Sequence, residues 1–211
     1  MSVLEQVRRH RIIAAFRGVA PEYAGDAAQA LYEGGIRLLE ITFDQKDPER
    51  LRSTPALIRD VKERLGDRVS IGAGTVMTAE EALAAEAAGA QFLLAPNVDR
   101  DVISTAKEHG LGMVPGALTP TEIAQAYRLG ADLVKVFPAG VLGTGYLKSL
   151  KGPLGHIPLL PMGGINRGNL KDFLSVSEGV GIGAELVDRT LIAQQKWDAL
   201  TALARQYTEQ L

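Results

Sequence analysis

A lysine set inside an apolar run is the residue of this chain best suited to covalent chemistry. Asp132-Leu133-Val134-Lys135-Val136-Phe137-Pro138-Ala139 reads as a short buried strand that ends at a proline. A lysine on a strand has little scope to snorkel to water. If Lys135 points into an apolar interior, its ammonium form is penalised and its pKa falls. A neutral amine in that setting is a nucleophile for a carbonyl carbon. The plainer alternative is a stem that crosses the strand end and pairs with a carboxylate.

Other groups recur at the ends of similar apolar runs. Arg17 follows Ile12-Ile13-Ala14-Ala15-Phe16, and Glu40 stands in Arg37-Leu38-Leu39-Glu40-Ile41-Thr42-Phe43. Thr75 ends Val69-Ser70-Ile71-Gly72-Ala73-Gly74-Thr75, and Pro96 ends Gln91 to Ala95. A carboxylate such as Glu40 serves a general acid or base. An arginine such as Arg17 offers a bidentate fork for a substrate carboxylate. Thr75 offers a hydroxyl to the substrate or to Glu40, while Pro96 and Phe137 serve as apolar walls. Gly163-Gly164 and Gly181 to Gly183 close the last two strands. Glycines at such places let backbone N–H groups approach a phosphate, so Gly163, Gly164, Gly181 and Gly183 are the candidate phosphate ligands. Tight turns alone are the competing explanation.

The elements that must position these residues follow one repeated pattern. Strands at 12–16, 37–43, 69–75, 91–95, 112–114, 133–137, 158–162 and 179–182 alternate with helices. The helices are expected at 24–32, 48–65, 79–88, 99–109, a stretch ending at 129, a short one at 146–150, one from an Asn166 cap to 174, and a closing helix at 187–207. Thr78 and Thr119 stand at capping positions, with Glu81 three residues beyond Thr78. Gly34-Gly35-Ile36, Ala88-Gly89-Ala90 and Leu129-Gly130-Ala131 repeat the phrase of helix stop, glycine and new strand. Eight such units predict a (β/α)₈ TIM barrel, in one domain over 1–211, with the active site at the C-terminal ends of the strands. A doubly wound open sheet would want a glycine-rich turn after the first strand, and Arg17-Gly18-Val19-Ala20 is not one.

Composition narrows the partners. The chain has 211 residues, 46% hydrophobic and 23% charged, with a formal net charge of -2. That balance carries no nucleic-acid footprint. The basic run Arg8-Arg9-His10-Arg11 is expected to be a solvated turn. No stretch suits a membrane span or a signal peptide, so no membrane partner is expected. The absence of cysteine excludes thiolate chemistry and fits a cytoplasmic setting. His10, His109 and His156 lack metal-ligand spacing, so no metal site is expected, and Trp197 is expected in the core or at a subunit contact.

Leu39-Glu40-Ile41-Thr42, Gly72-Ala73-Gly74-Thr75-Val76, Leu133 to Ala139 and Gly163-Gly164-Ile165 together resemble one family over nearly the whole chain. It is the 2-keto-3-deoxy-6-phosphogluconate (KDPG) and 4-hydroxy-2-oxoglutarate (KHG) aldolase family. The resemblance implies a barrel fold, a homotrimer and a class I aldolase that cleaves a 2-keto-4-hydroxy acid to pyruvate and an aldehyde. It makes Lys135 the Schiff-base residue and Glu40 the acid/base, with no cofactor beyond the imine. Phe16-Arg17-Gly18 resembles the Leu-Arg-Gly turn of the branch that cleaves the phosphogalactonate epimer, where the arginine holds the substrate carboxylate. The chain departs from the family pattern at three places. Asp44 replaces a frequent arginine, Ala184 replaces a frequent phosphate-binding serine, and Met162 replaces a frequent threonine. A sugar-phosphate epimerase or isomerase with Glu40 as base, and a non-catalytic barrel that binds an acidic metabolite, are the alternatives.

Overall fold

The computed structural model describes residues 1–211. The strands are β1 Ile12–Phe16, β2 Leu38–Thr42, β3 Ser70–Gly74, β4 Phe92–Leu94, β5 Gly112–Val114, β6 Gly116–Ala117, β7 Val134–Val136, β8 Leu159–Pro161 and β9 Val180–Ile182. The helices are α1 Val3–His10, α2 Pro21–Glu33, α3 Arg50–Leu65, α4 Ala79–Ala87, α5 Arg100–Glu108, α6 Pro120–Arg128, α7 Ala139–Leu154, α8 Leu170–Leu174, α9 Arg189–Ala193 and α10 Trp197–Thr208. None is long and apolar enough to cross a membrane.

All ladders are parallel. One sheet runs β5-β4-β3-β2-β1-β9 and the other β6-β7-β8. A bridge from Met162 to Gly181 links the far edge of the second sheet to β9. At the other junction a single stretch of chain changes sheets at Pro115. Proline has no N–H to donate, so the ladder is interrupted there. Its carbonyl still accepts from the Lys135 N–H at 2.9 Å, on the β7 side. The single strand expected up to Val114 therefore continues as β6.

Period-two alternation divides the apolar residues between two cores. Ile13, Leu38, Phe92, Leu94, Leu133 and Leu160 belong to an inner cluster of 11 residues on the concave face of the curled sheets. Ala14, Leu39, Leu93, Val134 and Leu159 face outward and belong to the larger cluster beneath the helices. Glu40 shares parity with Leu38, and Lys135 shares parity with Leu133. Both therefore point inward.

Helix α1, not expected from the sequence, contributes Val3 and Val7 to the inner cluster. It is started by a reciprocal capping box between Ser2 and Glu5. Two residues of the basic run at its end are tied to the chain, although Arg8 stays exposed. Arg8 pairs with Glu178 at 2.8 Å, and the Arg11 guanidinium donates to the carbonyls of Leu174, Ser177 and Glu178.

Three further boundaries differ from expectation. Helix α7 is longer than the predicted 146–150 and is interrupted at Gly143, whose φ of 71° breaks the helical path. Helix α8 starts at Leu170 because Asn166 is held in a turn, its Oδ1 accepting from the Gly168 N–H at 2.8 Å. The closing helix is two helices, separated around Gln195 at φ 53°. Trp197 packs against the outer core, its ring 6.3 Å from that of Tyr23.

Candidate active site

Glu40 and Lys135 lie on the inner face of separate sheets, 1% and 4% exposed. Their surroundings make both unusual. Neither Glu40 oxygen has a hydrogen-bond partner although both are buried. An unpaired buried carboxylate is several kcal/mol out of balance, so the acid form is favoured. Burial raises the Glu40 pKa above its ordinary value, and the charges of Lys135 and Arg17 oppose that shift. Burial likewise lowers the Lys135 pKa. Glu40 opposes the shift and Arg17 adds to it. The two groups are thus pushed towards a neutral acid and a neutral amine that sense each other's charge.

Glycines create the space these side chains occupy. A Cβ on Gly74 would overlap the Glu40 carboxylate, and one on Gly72 would overlap the Phe92 ring. The Gly72-Ala73-Gly74 stretch of β3 is therefore a moulded wall, with Gly72 paired in register to Glu40. Gly116 faces Lys135 in register, and a Cβ there would strike the carbonyl of Pro96. Pro96 itself follows β4 and is exposed.

Thr75 follows β3 in the left-handed region, at φ 57°. Its Oγ1 accepts from Arg17 Nη2 at 2.9 Å, joining the residues just past β1 and β3 across the end of the intervening β2. Of the two expected uses of the Thr75 hydroxyl, on the substrate or on Glu40, the bond to Glu40 is not made, and neither Glu40 oxygen has a partner. Phe137 is a correction to the expected buried run. It is 46% exposed, and its ring centroid lies 5.3 Å from Lys135 Nζ. It walls the lysine on one side and is open on the other.

The glycine loops divide in a way the sequence did not anticipate. Gly163 and Gly164 have φ of 85° and 77°, with Gly163 packed on the Phe137 ring and Gly164 on Gly140. The N–H groups of Gly163, Gly164, Gly183 and Ala184 donate to no protein acceptor. Gly181 does not belong with them. It lies within β9, and Met162 fills the space beside its Cα. The reason is packing: Met162 and Gly181 face one another across the bridge between the sheets, and the large side chain requires the small one.

Two residues at the site carried no functional signal in the sequence. Glu81 stands at a capping-box position, yet its carboxylate reaches back to the Met77 N–H at 2.6 Å and across to Gln45 and Arg50. Gln45 gave no signal at all. Elsewhere two of the three histidines are engaged singly, His109 on Glu86 and His156 edge-on to Tyr127. No group of three His, Asp or Glu side chains suited to a metal ion occurs.

The family model described as KDPG and KHG aldolase matches residues 3–203. The chain belongs to the KDPG and KHG aldolase family. It is a carbon–carbon lyase of that family. It is 34% identical over 208 residues to 2-dehydro-3-deoxy-phosphogluconate aldolase of Treponema pallidum, covering 98% of this chain and 96% of the relative. It is 30% identical over 200 residues to 2-dehydro-3-deoxy-6-phosphogalactonate aldolase of Escherichia coli, covering 94% and 95%. The solved structure of the Legionella pneumophila KDPG aldolase, with pyruvate captured at low pH as a covalent carbinolamine intermediate, superposes with a TM-score of 0.85 at 27% identity, over 97% of each chain.

Proposed function

We propose that the chain cleaves a 2-keto-4-hydroxy acid to pyruvate and an aldehyde through an imine on Lys135. The observation that carries this reading is the inward pairing of a desolvated amine with a buried carboxylate whose oxygens are both unpartnered. The amine attacks the C2 ketone, and loss of water gives a protonated imine. Glu40 takes the C4 hydroxyl proton. The C3–C4 bond then breaks, and its electron pair passes into the imine to form an enamine. Protonation at C3 and hydrolysis release pyruvate and restore the amine. No cofactor is needed, because the imine is itself the electron sink.

Arg17, exposed at the mouth and fixed on Thr75, holds the substrate carboxylate by its free N–H groups. Phe137 and Pro96 shape the walls. The unpartnered N–H groups of Gly163, Gly164, Gly183 and Ala184 take a distal phosphate when the substrate has one. The reading includes 2-keto-3-deoxy-6-phosphogluconate, its phosphogalactonate epimer and 4-hydroxy-2-oxoglutarate, with glyceraldehyde 3-phosphate or glyoxylate as the aldehyde.

We also infer that the two sheets form one closed (β/α)₈ barrel as a single domain over 1–211. In the homotrimer that we infer for this cytoplasmic enzyme, exposed Val141 and Leu142 (80% and 40%) are covered by a neighbouring copy.

Steady-state pyruvate release from each of the three substrates tests the reading. Pyruvate formed from at least one, in step with loss of the keto acid, is expected. Epimerisation or isomerisation of a sugar phosphate without pyruvate release would overturn it.

A further inference from the structure

Behind Arg17 and Thr75 lies a connected polar frame with one fully buried carboxylate. Glu81, 0% exposed in the first turn of α4, accepts from Gln45 Nε2 at 3.0 Å, Arg50 Nε at 2.8 Å and the Met77 N–H at 2.6 Å. Gln45 Nε2 has two hydrogens, and its second goes to the Thr75 carbonyl at 2.9 Å. Thr75 then accepts from Arg17 through Oγ1 at 2.9 Å. The bonds run without a gap from Glu81 through Gln45 and Thr75 to the guanidinium at the mouth. They tie together the segments that follow β1, β2 and β3.

The residue held at the centre is conformationally costly. Thr75 is β-branched and sits at φ 57°, where such residues are outliers. A residue in that region persists when its surroundings over-determine it. Here the Gln45 bond fixes the Thr75 carbonyl while the Thr75 hydroxyl faces Arg17. Simple helix capping does not require this arrangement. Thr78 already caps α4 by accepting from the Glu81 N–H, and the Glu81 carboxylate bypasses Thr78 for the neighbouring loop.

We propose that Gln45 and Glu81 are positioning residues for the aldolase reaction: they set the orientation of Thr75 and, through it, of the Arg17 fork that receives the substrate carboxylate. The proposal rests on the reading of Arg17 given above.

The frame acts on the carboxylate end of the substrate and not on the amine, which separates it from a merely structural role. The experiment is reductive trapping on the intact enzyme with cyanoborohydride, read by mass. It is titrated with pyruvate and, separately, with acetone, which has a ketone and no carboxylate. Gln45 is exposed, and Gln45→Ala leaves the Glu81 bonds to Arg50 and Met77 in place. Gln45→Met keeps most of the length without the donors. Both variants are expected to raise the half-saturating pyruvate concentration about tenfold, the size of a lost hydrogen bond to a charged site. Trapping by acetone should be unchanged, and so should kcat at saturating keto acid to within about twofold.

Arg17→Gln is expected to shift pyruvate in the same direction. Adding Gln45→Ala to it should give no further shift, because the two act in series. If Arg17→Gln leaves pyruvate unmoved, the carboxylate role of Arg17 is wrong and the positioning role falls with it. If Arg17→Gln shifts pyruvate and the Gln45 variants do not, or if they weaken acetone equally, the positioning role alone is wrong.

Discussion

Gly74 makes room for Glu40: a Cβ on residue 74 would overlap the carboxylate at Oε1 and Cδ. The glycine therefore sets the place of the carboxylate proposed as the acid/base group. Gly74→Ala should displace Glu40, with an overpacking penalty of about 1–3 kcal/mol. Turnover should fall by about 10²- to 10⁴-fold, as when general acid–base catalysis is lost. Pyruvate trapping on Lys135 should persist. Turnover, trapping and thermal unfolding on the same variant check this, and full activity in a folded variant would count against it.

The pH dependence follows from burial of the pair. Burial raises the pKa of Glu40 and lowers that of Lys135. Cleavage needs Glu40 without its proton and Lys135 as the free amine, so protonation of either group removes activity as pH falls. The acidic limb of kcat/KM should thus lie above the ordinary carboxylate range. Imine formation should not require pH near the usual lysine pKa. Glu40→Gln should remove the limb that belongs to the carboxylate and lower turnover about 10²- to 10⁴-fold. A wild-type profile that falls only near pH 4 would contradict the assignment.

Much of this site was legible in the sequence, because a strand alternates with period two. Leu133-Val134-Lys135-Val136 places Lys135 with Leu133, and Leu38-Leu39-Glu40 places Glu40 with Leu38. Once Leu133 and Leu38 face inward, so do the lysine and the glutamate. What remained hidden depends on contacts between segments distant in sequence. Gly181 was grouped with Gly183 as a phosphate ligand, and only the Met162 side chain across the bridge shows why it must be glycine. Glu81 looked like a cap because its partners were judged within one helix, whereas they are Gln45 on the loop after β2, Arg50 at the start of α3 and the Met77 N–H before α4. The final helix was read as continuous because its apolar pattern is, although Gln195 turns the chain at φ 53°.

The proposed phosphate site makes substrate preference depend on the donors at the glycine loops. Ala184 offers an N–H and no hydroxyl. The enzyme should therefore show only a small preference for the six-carbon phosphorylated acid over 4-hydroxy-2-oxoglutarate. Ala184→Ser should raise kcat/KM for the phosphorylated substrate about tenfold, within the range for a hydrogen bond to a charged group. The short substrate should be nearly unaffected. Equal effects on both would mean that position 184 does not face the phosphate.

Chelation probes the electron sink. An imine stabilises the developing carbanion itself, whereas a metal aldolase needs a divalent ion to hold an enolate. Activity should survive exhaustive dialysis against a chelator. Loss that is restored by a divalent ion would point to the enolate route.

The central claim is that Lys135 is the nucleophile, and its most direct test is borohydride reduction in the presence of pyruvate, followed by peptide mass mapping. A single pyruvyl adduct is expected on the peptide that carries Lys135, and Lys135→Arg should lose adduct and cleavage together while remaining folded. An adduct on a different lysine, or undiminished cleavage by Lys135→Arg, would contradict the account.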